Sequence, residues 1–345
     1  MTPDLRTRYL GMELTSPLVP SASPVGQRID TLRALEDEGV GAVVLPSLFE
    51  EQIEHEELQV YGAYELGTDS FAEALTYLPE LEDYTTGSTE YLRHLEACKH
   101  ELSIPVIASL NGVSPGGWVG HARRMQDAGA DALELNVYLI AADPDETSDA
   151  VEERYVRLVE AVRGEVTIPL AVKIGPFFSS VGHLSHRLVA AGADGLVLFN
   201  RFMQPDIDLD ALTVDPTLHL SSSAELALPL RWIAILRDRV HASLALTTGV
   251  HTWRDAAKGL LVGADVVMTA SALLHEGPGA AGQMLEGLRA WMRDHEYTSV
   301  DQLRGSMSMV NVPNPVAYAR ANYARLVTSF VSPYDWRGAE AGPRA

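Results

Sequence analysis

The sequence predicts an α/β protein, a closed (β/α)8 barrel of the TIM-barrel class, on two observations. The first is a phrase that recurs through the chain: "EDEGVGAVVLP", "QDAGADALELN", "VAAGADGLVLF" and "LLVGADVVMTA". Each copy passes from a helix-like end through Gly39, Gly129, Gly192 or Gly263 into a short apolar run. Glycine there supplies the left-handed cap that ends a helix. The apolar run is too short for a helix and apolar on both faces, as a strand of a parallel sheet must be. The second observation is the count. The runs "PLVPSA" (17–22), "PVIASL" (105–110), "PLAVKI" (169–174) and "SLALTT" (243–248) bring the strands to eight. Amphipathic helices such as 151–164 and 253–263 fit between them, and strict alternation closes a barrel. A doubly wound open sheet is the alternative, but its glycine-rich dinucleotide fingerprint does not follow the first strand.

No linker divides the chain, so 1–345 reads as one domain with a helical tail. Two connections, 50–87 and 201–226, exceed plain βα loops and read as lid or wall insertions. Both leave the C-terminal ends of strands, where barrels carry their sites.

Composition narrows the function classes. With 47 acidic against 26 basic residues the formal charge is -21, which opposes nucleic acid and anionic membrane as partners. The acidic run "EEQIEHEE" (50–57) reads as a solvated face. No apolar run approaches the roughly 20 residues of a membrane span. The N-terminus lacks the apolar core of a signal peptide, so a cytoplasmic location is expected. The single cysteine, Cys98, allows no internal disulfide and no iron–sulfur cluster held by this chain alone. No metal site is expected: His183 and His186 share a helix face but no carboxylate joins them.

The strand ends carry the chemistry. In order they are Ala22-Ser23, Pro46-Ser47, Asn111-Gly112, Asn136, Lys173, Asn200, Thr248-Gly249 and Ala270-Ser271. Amides that both donate and accept suit the edge of a neutral heteroaromatic ring. Lys173 is flanked by apolar residues, and a buried lysine needs an anion or a depressed pKa. The small residues after the seventh and eighth strands let backbone amides approach a phosphate, where barrels commonly bind one. A phosphate at one end and a flat polar ring across the mouth describe flavin mononucleotide (FMN), with Lys173 stabilising negative charge on the reduced ring. The plainer alternatives stay open: a structural ion pair for Lys173, loop capping for Asn136 and Asn200.

The chain resembles the dihydroorotate dehydrogenase family from about residue 10 to 307. The resemblance rests on "SPLVPSAS" (16–23), "ELN" (134–136), "VKIGPFF" (172–178), "FN" (199–200), "TTGV" (247–250), "TASALLHEGP" (269–278) and "YTSVDQLRG" (297–305), in family order. It implies an FMN-dependent oxidoreductase of pyrimidine biosynthesis that passes hydride from dihydroorotate to flavin N5. It places Ala22, Ser23, Asn136, Lys173, Thr248, Gly249, Ala270 and Ser271 around the flavin, and Ser222 near the ribityl chain; Asn111, from its strand end, is read as a further cofactor-binding residue. Lys173, Asn136 and Asn200 would serve the reaction, the two amides facing the substrate ring.

The departures are on the substrate side. The family's cysteine or serine base falls at Leu139, which takes no proton. Tyr138 is a poor substitute with an ordinary pKa near 10. Pro46 stands where the family has a lysine. Glu80 is the nearest match to a loop asparagine, and a second substrate asparagine falls at Ala141. A base from the lid remains open, His55 being the first candidate. Three readings are compatible with this pattern. One is an oxidoreductase acting on dihydroorotate or a related small cyclic molecule. The second is an accessory flavoprotein passing electrons to a partner redox enzyme. The third is a barrel binding a phosphorylated ligand without flavin. Family members often dimerise, and a homodimer is left open. The membrane-bound, quinone-using branch carries helices before the barrel, for which a first strand near residue 17 leaves no room.

Overall fold

The computed structural model describes residues 2–53, 87–201, 203, 205–215 and 219–319. Eight parallel strands make one sheet: β1 Leu18–Pro20, β2 Val43–Phe49, β3 Val106–Asn111, β4 Ala132–Asn136, β5 Leu170–Ile174, β6 Gly195–Leu198, β7 Ser243–Leu246 and β8 Val266–Thr269. Their spatial order is β1-β8-β7-β6-β5-β4-β3-β2. The sheet curls until its two ends meet, where the Gly41 amide donates to the Leu18 carbonyl at 2.9 Å. Outside the strands run α1 Ile29–Asp37, α2 Ser88–Glu101, α3 Gly120–Asp127, α4 Ser148–Glu165, α5 Val181–Ala190, α6 Ala227–Leu236, α7 Trp253–Val262 and α8 Gly279–Asp294. The predicted (β/α)8 barrel is the observed fold.

The recurring phrase is a helix-to-strand joint in all four copies. Gly39, Gly129, Gly192 and Gly263 take φ between +91° and +116°, the left-handed values that favour glycine. Its aspartate has a structural task. Asp131, Asp194 and Asp265 each accept an amide from the first or second residue of the preceding strand, Val106, Leu170 and Leu244, at 2.7 to 2.9 Å. Each is also paired with a cation, Lys99, Arg163 or Arg237. These clips fix neighbouring strands in register at the bottom of the barrel. The first copy has Gly41 instead, at the closure, where a Cβ would stand 2.1 Å from the Ser16 carbonyl oxygen.

Side chains that point inward fill the lower barrel. Val19, Val44, Ile107, Ala132, Ala171, Val197, Ala245, Val266 and Met268 form one cluster. A hairpin of Thr7–Tyr9 and Met12–Leu14 caps it from below, placing Tyr9, Leu10 and Leu14 in the same cluster. A larger core lies between the sheet and the surrounding helices. Packing is thus complete beneath the C-terminal rim, and polar groups collect above it.

Part of the 201–226 insertion folds as a hairpin, Asp206–Asp208 with Thr213–Asp215. Residues 54–86, hence most of the predicted lid with His55 and Glu80, and residues 320–345 of the tail lie outside the described residues. The tail before them holds two single helical turns, Val300–Leu303 and Val316–Ala319. Among the described residues no helix is long and apolar enough to cross a membrane, and no group of three or more His, Cys, Asp or Glu is placed to hold a metal.

Candidate active site

Strand register brings the predicted residues to one level. Asn111 pairs with Asn136, and Asn136 with Lys173, on adjacent strands β3, β4 and β5. Lys173 is buried with its ammonium in two contacts, a hydrogen bond to Ser21 Oγ at 3.2 Å and an ion pair with Glu134 Oε1 at 3.6 Å. Glu134 precedes Asn136 by two residues, so both side chains face the barrel interior. The structural ion pair, the plainer reading of Lys173, is therefore present. It does not exhaust the ammonium, which has three protons to donate.

Lys173 also lines a cavity of about 120 Å³, together with Ser21, Ala22, Thr248, Gly249, Ala270 and Ser271. The lysine near the end of β5, the turn after β7 and the Ala270–Ser271 start of a short helix after β8 therefore share one space on the C-terminal rim. Thr248 and Gly249 both have positive φ, and Gly249 has no room for a side chain, since a Cβ would lie 2.4 Å from the Leu226 nitrogen. The Thr248 hydroxyl donates to the Phe199 carbonyl at 3.1 Å and fixes the turn against β6. Ser271 is tied by its hydroxyl to Ser221 at 2.9 Å, and Ser221 in turn to His251 Nε2 at 3.0 Å.

One expectation changes here. The start of α7 is not open to an anion, because Thr252 and Asp255 close it as a reciprocal capping box. Asp255 Oδ2 accepts from the amides of His251 and Thr252 and from the Ser223 hydroxyl. The turn at 248–249, ahead of the helix, is the part that faces the cavity.

Asn136 and Asn111 are not among the residues lining that cavity. The Asn136 amide reaches Ser47 Oγ at 3.5 Å, Ser47 meets Ser109 Oγ at 2.8 Å, and Asn136 Oδ1 is buried without a hydrogen-bond partner. Ser23 Oγ is likewise buried and unpartnered. Such orphaned groups are costly unless something else satisfies them. Pro46 sits where the β2–β3 register breaks, between Val44 and Ser47, since proline has no amide for the ladder. Ser222 is exposed and engaged in a capping box with Glu225; its neighbour Ser221 is the one on the cavity.

Beside the small cavity opens a cleft of about 740 Å³, sharing Phe199, Arg201 and Thr248 with it. Its walls are largely apolar, with Tyr138, Phe177 and Leu228, and Asn200 is a polar member. Asn200 donates to the Val137 carbonyl at 3.1 Å, so it ties the ends of β4 and β6 as a loop clamp and also faces the cleft. The Tyr138 hydroxyl accepts from the Met203 amide at 3.0 Å. Leu139 is half-buried against the core. It lies beside Tyr155, whose hydroxyl burial pushes up to about 12. Neither supplies a base at neutral pH.

Residues that sequence reasoning missed are Ser21, Ser109, Glu134, Arg201 and Ser221. Glu134 had a signal: in "ALELN" it alternates with Asn136 and so shares its face. The serines had none, being ordinary small residues until the barrel closes around them.

Fold and rim together define a (β/α)8 barrel whose C-terminal end carries a small cavity lined by Lys173 and the residues after β7 and β8. A family model for dihydroorotate dehydrogenase matches residues 5–292, and the chain belongs to the dihydroorotate dehydrogenase family. It is 24% identical over 327 residues to the catalytic subunit of dihydroorotate dehydrogenase B (NAD(+)) of Methanothermobacter thermautotrophicus, covering 87% of this chain and 97% of that one. It is 25% identical over 363 residues to subunit PreA of the NAD-dependent dihydropyrimidine dehydrogenase of Escherichia coli K12, covering 97% and 86%. A putative dihydroorotate dehydrogenase A (fumarate) of Aeropyrum pernix is 28% identical over 229 residues, covering 64% and 72%.

Proposed function

We propose that the chain is an FMN-dependent oxidoreductase that acts on a carbon–carbon bond of a small cyclic, pyrimidine-like substrate. The carrying observation is that Lys173 and the turns at 248–249 and 270–271 line one cavity. A bound flavin would supply the hydride acceptor. Lys173, held by Ser21, would place positive charge where the reduced ring gains negative charge. Backbone amides of the two turns would receive the phosphate. Orphaned Asn136 Oδ1 and Ser23 Oγ fit a ligand rich in donors. Asn200 would orient a substrate in the cleft.

Oxidation of dihydroorotate, as of any 5,6-dihydropyrimidine, removes a proton beside the hydride-bearing carbon, and Leu139 leaves that proton without an acceptor at the family's position. The relatives include a dehydrogenase of dihydropyrimidines. A second reading, an electron-transfer flavoprotein serving a partner redox enzyme, is favoured by the same apolar residue and by relatives described as subunits. Anaerobic spectra of the FMN-loaded protein separate the two. Bleaching of the flavin band by dihydroorotate or by 5,6-dihydrouracil is the result expected. A flavin that neither molecule bleaches contradicts the substrate reading and leaves the electron-transfer one.

A further inference from the structure

Glu134 is the most deeply placed charged side chain of the barrel interior, fully buried, with neither carboxylate oxygen in a hydrogen bond. Its neighbour is the Lys173 ammonium at 3.6 Å, which stands between it and the cavity that also holds Ser21. Below it lies the hairpin cap, where the Tyr9 hydroxyl is buried and also without a partner. Burial first, and the Glu134 charge second, push that hydroxyl well above the ordinary tyrosine range. Nothing in packing requires this carboxylate, because the flanking inward positions are Ala132 and Ala171. A buried ion pair is weak evidence for stability, and an apolar replacement of both partners is often neutral or better. A reason other than stability is therefore called for.

We infer that Glu134 is a positioning residue for Lys173, a fixed counter-charge that holds the ammonium at Ser21 and offsets part of its field at the cavity. This rests on the proposed flavin reading and deepens it. A lone buried lysine would favour any ligand state carrying extra negative charge, by the Coulomb energy of one full charge in a poorly screened site. A carboxylate fixed behind it opposes that preference. The pair, rather than the lysine, sets how readily the bound ring accepts negative charge.

The test uses the full-length FMN-loaded protein and sulfite, which combines with oxidised flavin to give an anionic complex. Glu134→Gln is expected to tighten sulfite binding at least about tenfold and to raise the two-electron flavin potential by about 30 mV, the equivalent of that factor. Glu134→Asp, which keeps the charge, should stay near the parent on both readouts. If the single variant does not fold, Lys173→Met and the double variant Lys173→Met/Glu134→Gln carry the same comparison. The double variant should bind sulfite more tightly than the single. An unchanged sulfite affinity and potential in Glu134→Gln, or equal affinities in the second pair, overturns the inference while leaving FMN binding intact. A parent protein that takes up no FMN overturns the flavin reading instead, and the inference with it.

Discussion

At the residue scale the side chain that decides most is Lys173. Its apolar neighbours in "LAVKIG" imply burial and a partner anion from the sequence alone. Register supplies Glu134 on the adjacent strand, Ser21 across the barrel mouth and a cavity beyond. Cys98 makes the contrasting case. It is buried in α2, 3.6 Å from His94 Nε2, and burial pushes its thiol up to about 11. His94 is committed to the Gly26 carbonyl at 2.8 Å and offers the sulfur no activation. The thiolate is the reacting form, so the native protein should react with a disulfide reagent at pH 8 at least about 100-fold more slowly than the unfolded chain. Equal rates would show an accessible, ordinary thiol and would contradict the placement of α2.

At the scale of elements the repeated phrase makes the fold legible. Its glycines and apolar runs announce four joints, and the remaining strands lie within a residue or two of the runs that predict them. The same phrase hides its own logic, because the role of its aspartate depends on the preceding strand's amide, a contact no single segment contains. Gly41 illustrates the consequence. The repeat has aspartate at the equivalent places, 131, 194 and 265, so similarity among the copies argues for Gly41→Asp as a stabilising change. The structure argues the reverse: any Cβ there meets the Ser16 carbonyl at the closure of the sheet. Overpacking of this kind costs about 1–3 kcal/mol. Urea unfolding should show a clear loss of stability for Gly41→Asp, and an unchanged midpoint would mean that the closure is looser than described. The two hairpins leave no comparable trace in the sequence. Three-residue strands carry too little pattern to stand out, and the lower one is fixed by the barrel it plugs.

At the scale of the whole molecule, the barrel sorts its residues by height: apolar layers below, an ion pair and serines in the middle, turns and amides at the rim. The side of the rim proposed for the flavin is readable because its small residues and lysine sit at strand ends, which periodicity locates. The substrate side is readable only as a set of departures. Leu139 says what the site lacks, and Tyr138, Phe177 and Arg201 form a cleft only once β4, β5 and β6 are brought together. Phosphate recognition and ring recognition are thus separable claims about one cavity, and a single titration examines both. Protein freed of bound small molecules should take up FMN one to one and bind riboflavin, which lacks the phosphate, at least about 100-fold more weakly, the worth of one or two charge-assisted hydrogen bonds. Equal affinities for the two, or no binding of either, would contradict the assignment of the 248–249 and 270–271 turns and of Lys173 to one prosthetic group.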